Sequence, residues 1–315
     1  MKQNIPFWAS IFLCIACTFS AQPVVIIIHG SFASTTTWPQ PDGDFFKELE
    51  NQARELNQNV VSFCWSGIPT DQEIIKGGKM LAQLIMSYSE QEEIVLVGHS
   101  HGGNVINIAS QLLYKLTQHE KPALHTELNS IVLELPLFIT TPNFHMLATT
   151  KTGSQPQALY SEDQLTQDLV TQAVTELRHW AVKFLTRSNA NRSIEFSYLL
   201  GTPVNMAKFW PSMEIIKHMI LLYSDGDFIQ PVLGMFEKTY PAHQRCSNVK
   251  VKLYASGQTG KAPSHADLHH PVIGRWLLCI PKILTQLKMG KFENFKFGTN
   301  GTINFYGDKE PDYLA

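Results

Sequence analysis

The stretch Glu93 to Gly103, EIVLVGHSHGG, constrains the fold more than any other part of the chain. Ile94 to Val97 is apolar, rich in β-branched residues and uncharged, which predicts a strand buried on both faces of a parallel sheet. Gly98-His99-Ser100-His101-Gly102 then fits the pattern G-x-S-x-G, and Val105 to Leu116 reads on as a helix. A strand that turns this sharply into a helix forces its serine into a tight bend. Glycines two residues before and two after remove the Cβ atoms that would clash there. The pattern predicts Ser100 Oγ at the carboxyl end of the strand, beside a helix N-terminus that favours negative charge, which is a site for nucleophilic attack. The same letters also fit a plain glycine-rich loop, or His99 and His101 as metal ligands. The metal reading needs an aspartate and a histidine directly downstream, where Gly103 and Asn104 stand.

Around this element the chain alternates. Val24 to Ile28 is a second buried strand, ending in His29-Gly30-Ser31. Asp44 to Leu56 has helical apolar spacing, Asn59 to Trp65 is strand-like, and Ile74 to Tyr88 is helical despite Gly77-Gly78. The order βαβαβα implies a mostly parallel sheet flanked by helices, an α/β fold. Further on, Ser130 to Thr140 reads as a strand broken by Pro136. Ser161 to Thr186 reads as an amphipathic helix with a capping box at Ser161 and Gln164, packed on the body or serving as a lid. Ile194 to Leu200, Met219 to Tyr223 and Val249 to Tyr254 are expected strands, the last closing the sheet. A helix over Val272 to Leu287 and a hairpin or tail over 291–315 follow.

Residues 1–21 carry Lys2, an apolar run from Phe7 to Ala16 and small residues Ser20 and Ala21, the layout of a secretory signal peptide cut near Ser20 to Gln22. The run is short of the ~20 residues that span a bilayer. Lipidation at Cys17 is the second reading, weakened by Cys14 where a leucine is usual. The expectation is an exported protein, secreted or periplasmic, with 22–290 as one decorated globular domain. Cys64, Cys246 and Cys279 remain after cleavage. Three cysteines make no disulfide framework, and Cys64 and Cys279 lie in apolar runs that predict buried thiols. A net charge of −2 without a long basic run argues against nucleic acid as a partner.

Cleaving an ester or amide at neutral pH requires a nucleophile, a base, a carboxylate to orient the base, and donors for the oxyanion. Candidates for each stand at strand ends. Asp225 and Asp227 both follow MILLY, and either also suits a turn. His265 is the first histidine after the last expected strand, with His269 and His270 just beyond. The N–H of His101 at the elbow and of Ser31 after His29-Gly30 are the oxyanion donors. His29 reads as a hydrogen-bonding residue beneath that loop. No metal or cofactor is called for. Ala255 to Lys261 nearly spells a phosphate-binding loop, but Ala262 and Pro263 stand where a serine or threonine would hold Mg²⁺.

HGSFASTTTW, FCWSGIP, LVGHSHGGNV, YLLGTPV, LLYSDGDFIQP and SHADLH together resemble the α/β-hydrolase superfamily, in particular its small lipase and esterase members. The likeness runs from Pro23 to about Leu287 and is absent from Asn143 to Asn191. It implies a sheet of eight or fewer strands, and the helix read over 161–186 makes the stretch without that likeness, about 142–192, a helical insertion and candidate lid before the sixth strand. It also implies cofactor-free catalysis by Ser100, His265 and Asp227 in preference to Asp225 or His269. The substrates it implies are small-molecule or lipid carboxylic esters, with transient contact to a lipid surface. The fold also hosts thioesterases, deacylases, amidases and inactive binding relatives.

Overall fold

The computed structural model describes residues 22–33, 36–120, 168–169, 171–175, 192–234, 237–241, 243–254, 260–284, 301–307 and 309–314. Eight strands form one sheet in the order β2-β1-β3-β4-β5-β6-β7-β8. These are β1 (Val24–Ile28), β2 (Asn59–Phe63), β3 (Ile94–His99), β4 (Ile194–Leu200), β5 (Ile216–Tyr223), β6 (Cys246–Tyr254), β7 (Gly301–Tyr306) and β8 (Asp312–Leu314). The first seven pair in parallel and β8 runs antiparallel to β7.

The apolar runs are buried because helices cover both faces. Val24, Ile26, Ile28, Ile94 and Leu96 point to the face covered by α2 (Asp71–Ser87) and α3 (His101–Glu120). Val25, Ile27, Val95 and Val97 point to the other, where α1 (Asp44–Glu55) packs on α5 (Pro271–Trp276). Period-two alternation thus gives each strand two apolar faces, and truncating one such side chain to alanine costs about 2–5 kcal/mol. Helix α2 starts one turn earlier than its apolar spacing predicts, because Thr70 accepts from the Glu73 N–H as its cap. Gly78 lets α2 and α3 touch, since a Cβ there would meet Ile108. On the opposite face Arg275 binds Glu48 through two nitrogens at 2.6 and 2.8 Å, joining α5 to α1.

Three expectations need correction. The sheet does not end at Tyr254: β7 adds to β6 in parallel, with Ile303 and Phe305 fully buried beneath α5's face, and β8 pairs antiparallel with β7 inside the expected hairpin over 291–315. Cys64 is exposed, because alternation past β2 buries Phe63 and Trp65 and turns the residue between them outward. Cys279 is half-buried, taking a hydrogen bond from Gln52 Nε2 at 3.0 Å.

The expected strand at 130–140, the leader at 1–21 with Cys17, and most of the helix at 161–186 lie outside the described residues. Residues 171–175 are helical, and Ala173 and Val174 are buried in the core on the α2–α3 side. No described helix is long and apolar enough to cross a membrane.

Candidate active site

Strand order changes direction at β1: the chain passes from β1 to β2 on one side, and β3 lies on the other. In open parallel sheets the crevice at the carboxyl ends of two such strands is where ligands bind. Here it lies between Ile28 and Gly98, which are register partners, so His29-Gly30-Ser31 faces Ser100. A Cβ on Gly30 would sit 2.7 Å from Ser100 Cβ, so only glycine allows the two loops this close.

Ser100 is buried and holds φ 53°, a left-handed conformation that costs a serine about 1–3 kcal/mol. Its surroundings enforce the bend. Its N–H donates to Leu200 O at 2.9 Å, its carbonyl accepts from Gly103 N at 3.0 Å, and a Cβ on Gly98 would strike Gly103 N at 2.7 Å. Helix α3 begins at His101, so the His101 N–H belongs to the first turn, whose donors no helical carbonyl accepts. Ser31 follows Gly30 on the facing loop, where Phe32 also takes a positive φ of 57° and donates its N–H to Gly67 O.

Asp227 is fully buried after β5. Oδ1 accepts the N–H groups of Ile229 and Gln230, both at 2.9 Å, at the start of α4 (Ile229–Leu233). Oδ2 accepts from His265 Nδ1 at 2.7 Å. A carboxylate offers only acceptors, so the imidazole carries its proton on Nδ1 and leaves the Nε2 lone pair free to act as a base. Gly201, at φ 58°, is the spacer between this pair and the elbow: a Cβ there would lie 2.9 Å from Asp227 Oδ2 and 3.2 Å from His265 Nδ1. The residue before it, Leu200, holds the Ser100 N–H. Asp227 and His265 are thus joined directly, while Ser100 Oγ makes no hydrogen bond among the described residues.

No family model matches the chain, and neither does a curated protein or a solved structure. What the site can do therefore rests on its own geometry.

The other candidates lie apart from the pair. Asp225 is exposed and bonded to Lys250 at 3.0 Å. His269 stacks on Trp38 at 4.5 Å between ring centres, and burial, then neighbouring His265, pushes its pKa down to about 4. His29 is buried and stacked on Trp65; Nδ1 donates to Gly30 O at 2.8 Å and Nε2 accepts from Trp65 N. Burial lowers its pKa, leaving a neutral structural ring. The His101 side chain meets Asn104 Nδ2 at 3.0 Å, and burial, helped by His265, takes its pKa to about 4.

Three residues shape the site in ways the sequence did not foretell, His99 having been weighed only as a metal ligand. His99 contacts His265, Trp38 backs His269, and Gly201 separates the elbow from the acid–base pair. Only Gly201 carried a signal, as a glycine ending a strand, which can mark close backbone approach.

Proposed function

We propose that the chain is a serine hydrolase of the α/β-hydrolase superfamily that cleaves carboxylic esters through an acyl-enzyme, with a helical insertion over about 142–192 and an export signal over 1–21. The observation that carries this reading is the 2.7 Å bond from His265 Nδ1 to buried Asp227, beside a serine held at φ 53°. His265 Nε2 removes the Ser100 proton as Oγ bonds to the ester carbonyl carbon, and Asp227 stabilises the resulting imidazolium. The N–H groups of His101 and Ser31 receive the oxyanion. His265 then gives the proton to the departing alkoxide, which leaves as the alcohol. A water, deprotonated in turn by His265, attacks the acyl-enzyme, and return of the proton to Oγ releases the acid and restores Ser100. No cofactor enters these steps. Phe32 and Phe228, 77% and 79% exposed on the loops after β1 and β5, suit an ester with an apolar acyl or alcohol part.

The test is covalent labelling by a fluorophosphonate, read by peptide mass spectrometry, together with turnover of esters from acetyl to long-chain. Label on Ser100, none on Ser100→Ala, and turnover that disappears with it are expected. A folded wild-type protein that neither labels nor hydrolyses any ester in the panel ends the proposal.

A further inference from the structure

We propose that His99 is a positioning residue: its Nε2–H holds the main-chain carbonyl of His265, so that the strand bearing the nucleophile also fixes where the base stands. The inference rests on the triad reading above.

His99 Nε2 lies 2.9 Å from His265 O, across 166 residues of sequence. A carbonyl can only accept, so Nε2 carries the proton and the ring, if neutral, has its lone pair on Nδ1. The surroundings keep it neutral. Burial first, then the proximity of His265 and His269, hold its pKa well below the ordinary histidine value. Among the described residues Nδ1 is buried without a hydrogen-bond partner, and it faces Gly30, whose Cβ position lies 3.1 Å away. The ring is gripped edge-on by Trp38 at 5.5 Å and His269 at 4.9 Å, so it has little freedom to turn its donor elsewhere.

The strand sets this direction. Alternation along β3 puts His99 on the same face as Val95 and Val97, the face on which Leu268 anchors the His265 loop in the core. Among the described residues the His265 carbonyl has one other donor, Leu268 N, at a longer 3.4 Å. Asp227 orients the imidazole through its side chain, and His99 locates the main chain from which that imidazole hangs. Two independent points are then fixed on one residue, and its ring has a single place to stand beside Ser100.

A residue that merely fills space here could be replaced by another ring, whereas one that positions must keep a donor where Nε2 is. His99→Phe keeps ring bulk without the donor; His99→Gln places an amide N–H near the Nε2 position. His99→Phe should lower kcat on the ester panel by about tenfold to a hundredfold with KM within about twofold. His99→Gln should recover kcat to within about threefold of wild type. A second readout needs no turnover: the low-field proton resonance of His265 Nδ1–H, assigned by its loss in Asp227→Ala. It should persist in wild type and His99→Gln and broaden in His99→Phe. Wild-type kcat and resonance in His99→Phe would overturn the inference, and so would equal losses in both variants. A wild-type protein that phosphonate does not label sinks the hydrolase reading alone, since the resonance still reports the link between His99 and His265.

Discussion

The two rims of the sheet are built from the same strands and differ in what they do with backbone strain. At the carboxyl rim Phe32, Ser100, Gly67 and Gly201 all take positive φ, and only two of the four are glycine. At the amino rim Asn57 is in the same region, but there it follows the last turn of α1, a position where asparagine is at home. Polar groups divide in the same way. His29, His99, Ser100 and Asp227 are buried at one rim, while Glu90, Glu93, Glu195 and Lys217 border an open groove of about 430 Å³ at the other. That groove has acids and cations but no histidine beside a nucleophile, so concavity alone does not mark the chemistry. The proposed function rests instead on strain at Ser100 that no residue preference relieves, next to the buried His265–Asp227 pair.

The widest separation between the rims should come from Ser100→Ala, which is expected to lower kcat by about 10³-fold or more while the melting temperature stays within a few degrees. Parallel turnover assays and calorimetry check this, and retained activity would move the nucleophile elsewhere. Next, Asp227→Ala should cost about 10²- to 10⁴-fold in kcat, because it strips the carboxylate from His265. Asp225→Ala should stay within about twofold, since its exposed pair with Lys250 is worth at most about 1 kcal/mol. Equal losses in the two variants would mean that burial after β5 does not select the working carboxylate.

Why the Asp227–His265 pair and the outer sheet were harder to read than the elbow follows from what each depends on. The elbow is local. A buried strand, two glycines and a helix within some twenty residues leave one backbone solution, so β1, β3 and the place of Ser100 were legible from spacing. Pairing of Asp227 with His265 depends on two loops 38 residues apart meeting across Gly201, and spacing alone left Asp225 and His269 open. The contact of His99 with His265 had no signal, because its partner is a main-chain carbonyl and every residue has one, and the spacing suggested only a metal ligand. That the strand at Gly301–Tyr306 joins the sheet was missed for a related reason. Its apolar residues alternate, which suits a hairpin as well as a sheet edge, and only the open flank of β6 decides between them.

A smaller effect should appear in stability against pH, and it belongs to the carboxyl rim. Burial holds His101 and His269 near pKa 4, and lowers His99 and His29 in the same direction. The unfolded chain titrates these rings near 6.5, so between about 6.5 and 4 it binds more protons than the folded chain. Their contribution is therefore whole above about 6.5 and is lost as pH falls toward 4, by on the order of a few kcal/mol in total. Calorimetric melts at pH 7 and 5 should show the loss, and His269→Gln should flatten it. Glu48 and Asp267 are also held low, but theirs is a window at more acid pH than these melts reach. An unchanged slope in His269→Gln would mean that the ring is not protonated on unfolding.

The smallest effect tests whether the rims are independent. Arg192 stands just before β4, buried, and reaches back to Ile85 O at 3.4 Å and Glu92 O at 3.2 Å, tying the end of α2 to the entry of β3. Both bonds are long, and Nη2 is buried without a hydrogen-bond partner among the described residues, so the guanidinium's own desolvation offsets much of what it contributes. Arg192→Ala should then cost only about 1–2 kcal/mol, a few degrees in melting temperature. Arg192→Met, which keeps the apolar stem and removes the charge, should recover part of that loss. Turnover should stay within about twofold in both variants, because neither contact reaches the elbow. A drop in kcat beyond about fivefold without unfolding would show that β3 transmits the setting of its amino end to Ser100, and the two rims would then be one mechanical unit.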